Sequence, residues 1–191
     1  MKLGGVVLAA GASRRMGSPK ALLEVAGETL VDRQIRLLAA CCQTVVVVVG
    51  RHGEEIRRRA RRGGEAVFVD NPAPERGMLS SLQCGLAALP GGIDGWLFTP
   101  VDLPKVQEET VRALAAAARA GSFVIPRYRG RRGHPVLVGN QWRDEFTRAG
   151  EEETPRAVID RHRTHVVHID VDDPGVVLDV DTPEDFRAVV T

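Results

Sequence analysis

Val6-Val7-Leu8-Ala9-Ala10-Gly11-Ala12-Ser13-Arg14-Arg15-Met16-Gly17-Ser18-Pro19-Lys20 carries an apolar run straight into a loop that holds two glycines, two arginines and a lysine. An unbroken apolar run is the pattern of a strand covered on both faces. Glycines let the following backbone turn tightly and approach a ligand closely, while amide groups and fixed positive charge face phosphate oxygens. The stretch therefore reads as a strand ending in a cradle for a nucleoside triphosphate. It is not a Walker A loop, because Gly17 leads into Ser18-Pro19-Lys20-Ala21 rather than Gly-Lys-Ser/Thr, and no G-x-G-x-x-G is present. The competing reading is a surface turn with solvated arginines.

Outward from this strand, short apolar runs alternate with helical patterns. Gly5 to Ala9, Thr44 to Gly50, Ala66 to Val69, Gly95 to Thr99 and Phe123 to Pro126 read as strands buried on both faces. Leu30 to Ala40 places Leu30, Ile35, Leu37 and Leu38 on one helical face, and Glu109 to Ala120 reads as an alanine-rich helix stopped by Gly121. This rhythm predicts an α/β fold with a doubly wound, mostly parallel sheet whose ligands lie beyond the carboxyl ends of the strands. The Pro/Gly clusters at Asn71 to Gly77 and Pro90 to Gly95 are loop-sized, and no interdomain linker or repeat is evident.

The chain has 191 residues, 43% hydrophobic, enough for one domain with its own core. A net charge of +1 and 4% aromatic content give no general reason to expect nucleic acid. The run Arg57-Arg58-Arg59-Ala60-Arg61-Arg62 follows Glu54-Glu55 and reads as a solvated helix face with i,i+4 pairing. Cys41, Cys42 and Cys84 form no C-x-x-C pair and make an odd total, which argues against a disulfide framework or a zinc site. No apolar run nears the roughly 18 residues of a membrane span. A cytoplasmic location is expected.

Four constellations carry chemistry. Pro100-Val101-Asp102-Leu103-Pro104 follows a strand and holds an aspartate between two prolines, placed either as a hard oxygen ligand for Mg2+ or as an N-cap for a helix from Lys105 or Val106. Leu178-Asp179-Val180-Asp181-Thr182-Pro183-Glu184-Asp185 puts two carboxylates on one face of an extended segment, and Thr182 with Asp185 suits a capping box. Gly77-Met78-Leu79-Ser80-Ser81 opens a helix whose first turn offers free amides and hydroxyls. Arg127 to Val138 packs four arginines, a tyrosine and His134 around two glycines, suiting an anionic, ring-bearing acceptor; a structural role for the lone histidine competes.

The spacing from Leu8 to Lys20 resembles L-A-A-G-x-S-x-R-M-G-x-x-K, the signature of nucleotidyltransferases related to the molybdenum cofactor cytidylyltransferases, and it meets every fixed position. The resemblance extends through Pro100 to Pro104, Arg132-Gly133-His134-Pro135-Val136 and Asp179 to Asp185, in family order. It implies a Rossmann-like nucleotidyltransferase fold over 1–191 as a single domain. Leu8, Ala9, Ala10, Gly11 and Ser13 would bind the nucleotide, Arg15 would stabilise the pentavalent phosphorus, and Lys20 would contact phosphate and substrate. Asp102 would coordinate the magnesium, with Asp181 preferred over Asp179 as a second ligand. Gly77 and Ser81 would contact the nucleotide, Ser80 being the rival N-cap serine, and Arg132 and His134 would lie on the acceptor side. Ala10 stands where guanylyltransferases carry glycine, and Met78 where the methylerythritol phosphate branch carries arginine. Both departures favour CMP transfer from CTP to molybdopterin, a product destined for a client molybdenum hydroxylase. Three readings compete: transfer to another small phosphorylated acceptor or from GTP, a non-catalytic cofactor carrier, and a nucleic-acid module built on Arg57 to Arg62.

Overall fold

A computed structural model describes residues 1–13 and 16–190. Within them, one eight-stranded sheet is ordered β10-β7-β9-β6-β1-β4-β5. Its strands are β1 (Leu3–Ala9), β4 (Thr44–Val49), β5 (Val67–Asp70), β6 (Gly95–Pro100), β7 (Phe123–Tyr128), β9 (Val136–Gly139) and β10 (Val166–Asp170), with β8 (Arg131–Arg132) folded onto β7. A small hairpin, β2 (Glu24–Val25) and β3 (Glu28–Thr29), follows the glycine loop. Strands β5, β4, β1 and β6 run parallel, as do β7 and β10, while β9 runs antiparallel to both β6 and β7. The carboxyl ends of all six long parallel strands therefore share one edge, as the expected α/β topology requires.

Alternation along the strands sends side chains to two cores. Val7 and Ala9 of β1 face one layer, made by α1 (Leu30–Ala39), α2 (Gly53–Arg59), α4 (Glu108–Ala117) and α7 (Pro183–Val190). Val6 and Leu8 face the other, made by α3 (Met78–Ala88), α5 (Arg143–Arg148) and α6 (Pro155–Asp160). Each fully buried Leu, Ile or Phe contributes on the order of 1.5–3 kcal/mol, and the second core adds Trp96 packed edge-on against Phe146 at 5.1 Å. Gly85 on α3 lets that helix lie against the sheet: a Cβ there would come within 2.4 Å of Val6 Cγ1.

The expected strand at Ala66 to Val69 forms, as β5, yet it is not buried on both faces: Val67 is exposed and Phe68 and Val69 are half-buried. It is an edge strand, paired only with β4, so its outer side has no neighbour to cover it. The arginine run lies on and just beyond α2 and meets local carboxylates, Arg57 with Asp70 at 2.7 Å, Arg59 with Glu55 at 3.1 Å and Arg62 with Glu65 at 2.9 Å. No helix among the described residues is long and apolar enough to cross a membrane.

Candidate active site

Three backbone connections assemble a site at the carboxyl edge. The loop after β6 is tied to β1 by Val101 N–H donating to Leu8 O at 3.1 Å. The acidic C-terminal segment is tied to that loop by Val180 N–H donating to Asp102 O at 2.9 Å. The same segment is anchored to α4 by the buried Asp173, whose carboxylate accepts from Gln107 N–H and the Thr110 hydroxyl. On the other side Ser13 Oγ accepts from Lys20 N–H at 3.0 Å and folds the glycine loop back on itself.

The result, among the described residues, is a charge cluster drawn from the two ends and the middle of the chain. Lys20 Nζ donates to Asp102 Oδ2 at 3.1 Å and to Asp181 Oδ1 at 2.5 Å. Burial works against charge on Lys20, but the hydrogen bonds and charges of Asp181 and Asp102 outweigh it and hold the ammonium above the usual lysine range. Burial likewise pushes the Asp102 carboxyl up, Lys20 opposes the rise and the neighbouring Asp179 adds to it. The two partners thus pull in different directions. The ion pair stands on the Lys20 side, because two carboxylates serve one ammonium.

Asp102 is not an N-cap. Helix α4 begins at Glu108 behind Gln107, which leaves the Asp102 carboxylate for Lys20. Thr182 and Asp185 form the expected capping pair, Asp185 N–H donating to Thr182 Oγ1 at 3.2 Å and Thr182 N–H to Asp185 Oδ2 at 2.7 Å. No group of three or more acidic, His or Cys side chains that could hold a metal exists among the described residues. Two hard carboxylate oxygens converging on one cation nevertheless fit Mg2+, which is commonly held by one or two carboxylates plus substrate phosphates. Lys20 Nζ is the stand-in cation, and Asp102 and Asp181 would be the ligands.

Around the cluster three clefts adjoin. The smallest, about 90 Å³, is lined by Leu8, Ala9, Gly11, Ser13, Lys20 and Asp102, with Ile56 from α2 and His52 just ahead of that helix. Ala10 is buried behind it, its carbonyl so close to Gly50 that a Cβ there would sit 2.6 Å away. Asp102 also lines a second cleft of about 280 Å³, with Asp179, Arg131, Arg132 and His134. That cleft shares Met78, Arg132, Gly133 and His134 with a third, of about 440 Å³, whose floor is Phe98, Ile125, Val136 and Ile159. His134 stands edge-on to Phe98 at 5.5 Å with its Nδ1 buried and unpartnered. Burial drives its pKa down to about 4, against a hydrogen bond to the Phe98 backbone, so the ring is neutral.

The remaining expected site residues fall outside the cluster. Arg15, with Arg14, lies outside the described residues. Gly77 is the residue ahead of α3, at φ 91, a backbone state that favours glycine. Ser80 does not cap this helix; its hydroxyl donates to Gly77 O at 2.9 Å. Ser81 is buried, and both serine hydroxyls accept from Asn71 Nδ2 at 2.9 Å. Arg127 belongs to β7 and is paired with Asp170 rather than turned to the loop. Sequence reasoning missed His52 and the α6 wall of Thr154, Arg156 and Ile159, and Asn71, which holds Ser80 and Ser81 at the start of α3. Asn71, just past the end of β5, carried a usable signal, a polar residue at a strand's carboxyl end ahead of a serine-bearing helix; the α6 residues carried none.

The family model described as MobA-like NTP transferase domain matches residues 5–166. Molybdenum cofactor cytidylyltransferase of Escherichia coli K12 is 25% identical over 95% of this chain and 92% of its own length. Nicotine blue oxidoreductase of Paenarthrobacter nicotinovorans is 33% identical over 94% and 92% respectively. Molybdenum cofactor guanylyltransferases are among the relatives too. Rv0371c of Mycobacterium tuberculosis superposes over 100% of this chain and 98% of its own, with TM-score 0.82 and 26% identity, and a manganese complex of it superposes with TM-score 0.76 and 24% identity.

Proposed function

Because this chain belongs to the family of MobA-like NTP transferase domains, we propose that it transfers CMP from CTP to the terminal phosphate of molybdopterin, giving molybdopterin cytosine dinucleotide and pyrophosphate. The observation that carries this reading is Lys20, at the end of the glycine loop, meeting Asp102 and Asp181 where the donor cleft and the second cleft join. Nucleotidyl transfer needs a cationic cradle and a carboxylate-bound metal side by side, and needs no protein nucleophile when the acceptor is already an anionic phosphate.

In this reading the triphosphate lies along Leu8 to Ser13 with Lys20 on its phosphates, and Arg15 and the α3 entry, Gly77 and Ser81, complete nucleotide recognition. Asp102 and Asp181 would hold Mg2+, which when bound would supply charge neutralisation at the triphosphate; the manganese complex of Rv0371c supports divalent metal use. The acceptor phosphate enters past Arg132, its oxygen forms the new bond to the α-phosphorus, and the bond from that phosphorus to the β-phosphate bridging oxygen breaks in line. Lys20 offsets the charge that develops on the departing pyrophosphate. The acceptor's ring system fits the apolar cleft beyond His134, with Phe98 and Ile159 on its walls. Ala10 and Met78 favour cytosine over guanine and molybdopterin over a sugar phosphate. A client molybdenum hydroxylase would consume the product.

The test is pyrophosphate release with Mg2+ and molybdopterin, comparing CTP, GTP, ATP and UTP. Release with CTP alone, and only with acceptor present, is expected. Release with GTP would move the donor, and no release with any nucleotide would overturn transfer.

A further inference from the structure

The Lys20 ammonium occupies the position between Asp102 and Asp181 that a divalent cation needs, at 3.1 Å and 2.5 Å from their oxygens. It is held there from both sides. Its backbone N–H is fixed on Ser13 Oγ, and the Asp181 backbone is fixed on the Asp185 carboxylate at 3.0 Å. The lysine side chain is 14% exposed and that of Asp102 22%. Breaking such a largely buried pair by removing one partner leaves an uncompensated charge. A metal arriving alone must therefore displace the ammonium from the two carboxylates that hold it, with no phosphate yet present to receive it. A triphosphate arriving alone must face two carboxylates that the lysine has just left. When both arrive together, lysine passes to the phosphates, metal passes to the carboxylates, and no charge is stranded.

We propose that Lys20 is a latch on the metal site, excluding divalent cations until a triphosphate claims the ammonium, so that metal and nucleotide enter as a unit. This rests on the nucleotidyl-transfer reading, and it gives Lys20 a second role besides contacting phosphate. The coupling is reciprocal: nucleotide tightens metal and metal tightens nucleotide by the same factor.

Mn2+ binding followed by loss of the free-ion paramagnetic resonance signal tests it without turnover, using the full chain, Lys20→Met and Lys20→Gln. Without nucleotide, both variants are expected to bind Mn2+ at least tenfold more tightly than the wild type. The gain is expected to vanish when Asp102→Asn is added; if it persists, the metal sits elsewhere and the latch is wrong. If both variants keep the wild-type circular dichroism and bind Mn2+ no more tightly, the latch is overturned. A second arm adds the unreactive α,β-methylene analogue of CTP, which should tighten Mn2+ on the wild type by a factor that shrinks in Lys20→Met. An analogue without effect on any form counts against the nucleotide reading, while the metal-only arm still decides the latch.

Discussion

His134 carries two kinds of information in one ring. Its position joins the second and third clefts, and its neutrality bears on stability. With a folded pKa of about 4 against an ordinary 6.5, the unfolded chain takes up a proton in a pH window where the native ring does not. Stability attributable to this residue is present above pH 6.5 and is lost as pH falls toward 4. The displacement corresponds to about 3 kcal/mol. Urea unfolding at pH 7 and pH 4 should show the wild type losing about that much more than His134→Phe over the window; equal losses would mean that the ring titrates normally. Lys20, Asp102 and Asp181 were legible in the sequence because motif spacing records chemistry. His52 was not, because its place beside the glycine loop comes from a helix start that meets the loop only after folding.

Helix α3 is set by a missing side chain. Its Gly85 faces Val6 and Val48 of two adjacent strands, and a β-branched valine has little rotamer freedom to yield. Gly85→Ala should therefore destabilise the protein by about 1–3 kcal/mol despite its better helix propensity, read as a lower denaturant midpoint with unchanged slope. A stabilised Gly85→Ala would show that the helix can move off the sheet at little cost. The apolar runs of β1, β4 and β6 read directly as strands because both faces are covered. The same reading overstated β5, since one sequence pattern serves a central strand and an edge strand alike. Helices α5 and α6, six residues each, are too short to show periodicity, and α6 with its cap Thr154 builds one wall of the third cleft.

Across the whole molecule, the donor cleft and the apolar cleft are separate chambers joined through the one that holds Asp102 and His134. Met78 lines the second and third chambers and does not line the donor cleft. Met78→Trp should raise the acceptor KM about tenfold, roughly 1.4 kcal/mol, and leave nucleotide affinity within about twofold. An equal loss of both affinities would mean that the chambers are one site. The division follows from β9, the reversed strand. Because it enters the sheet from the edge where its neighbours end, Arg131 to Pro135 reaches the cleft that holds Asp102 as a short excursion between two fixed strands. The glycine loop ends at Lys20, 111 residues before Arg131, and shares no turn with it. Under the proposed reading, exchange of those five residues alone would give descendants of this chain new acceptors while the glycine loop is inherited intact, so one transfer engine can diversify by replacing a single short stretch.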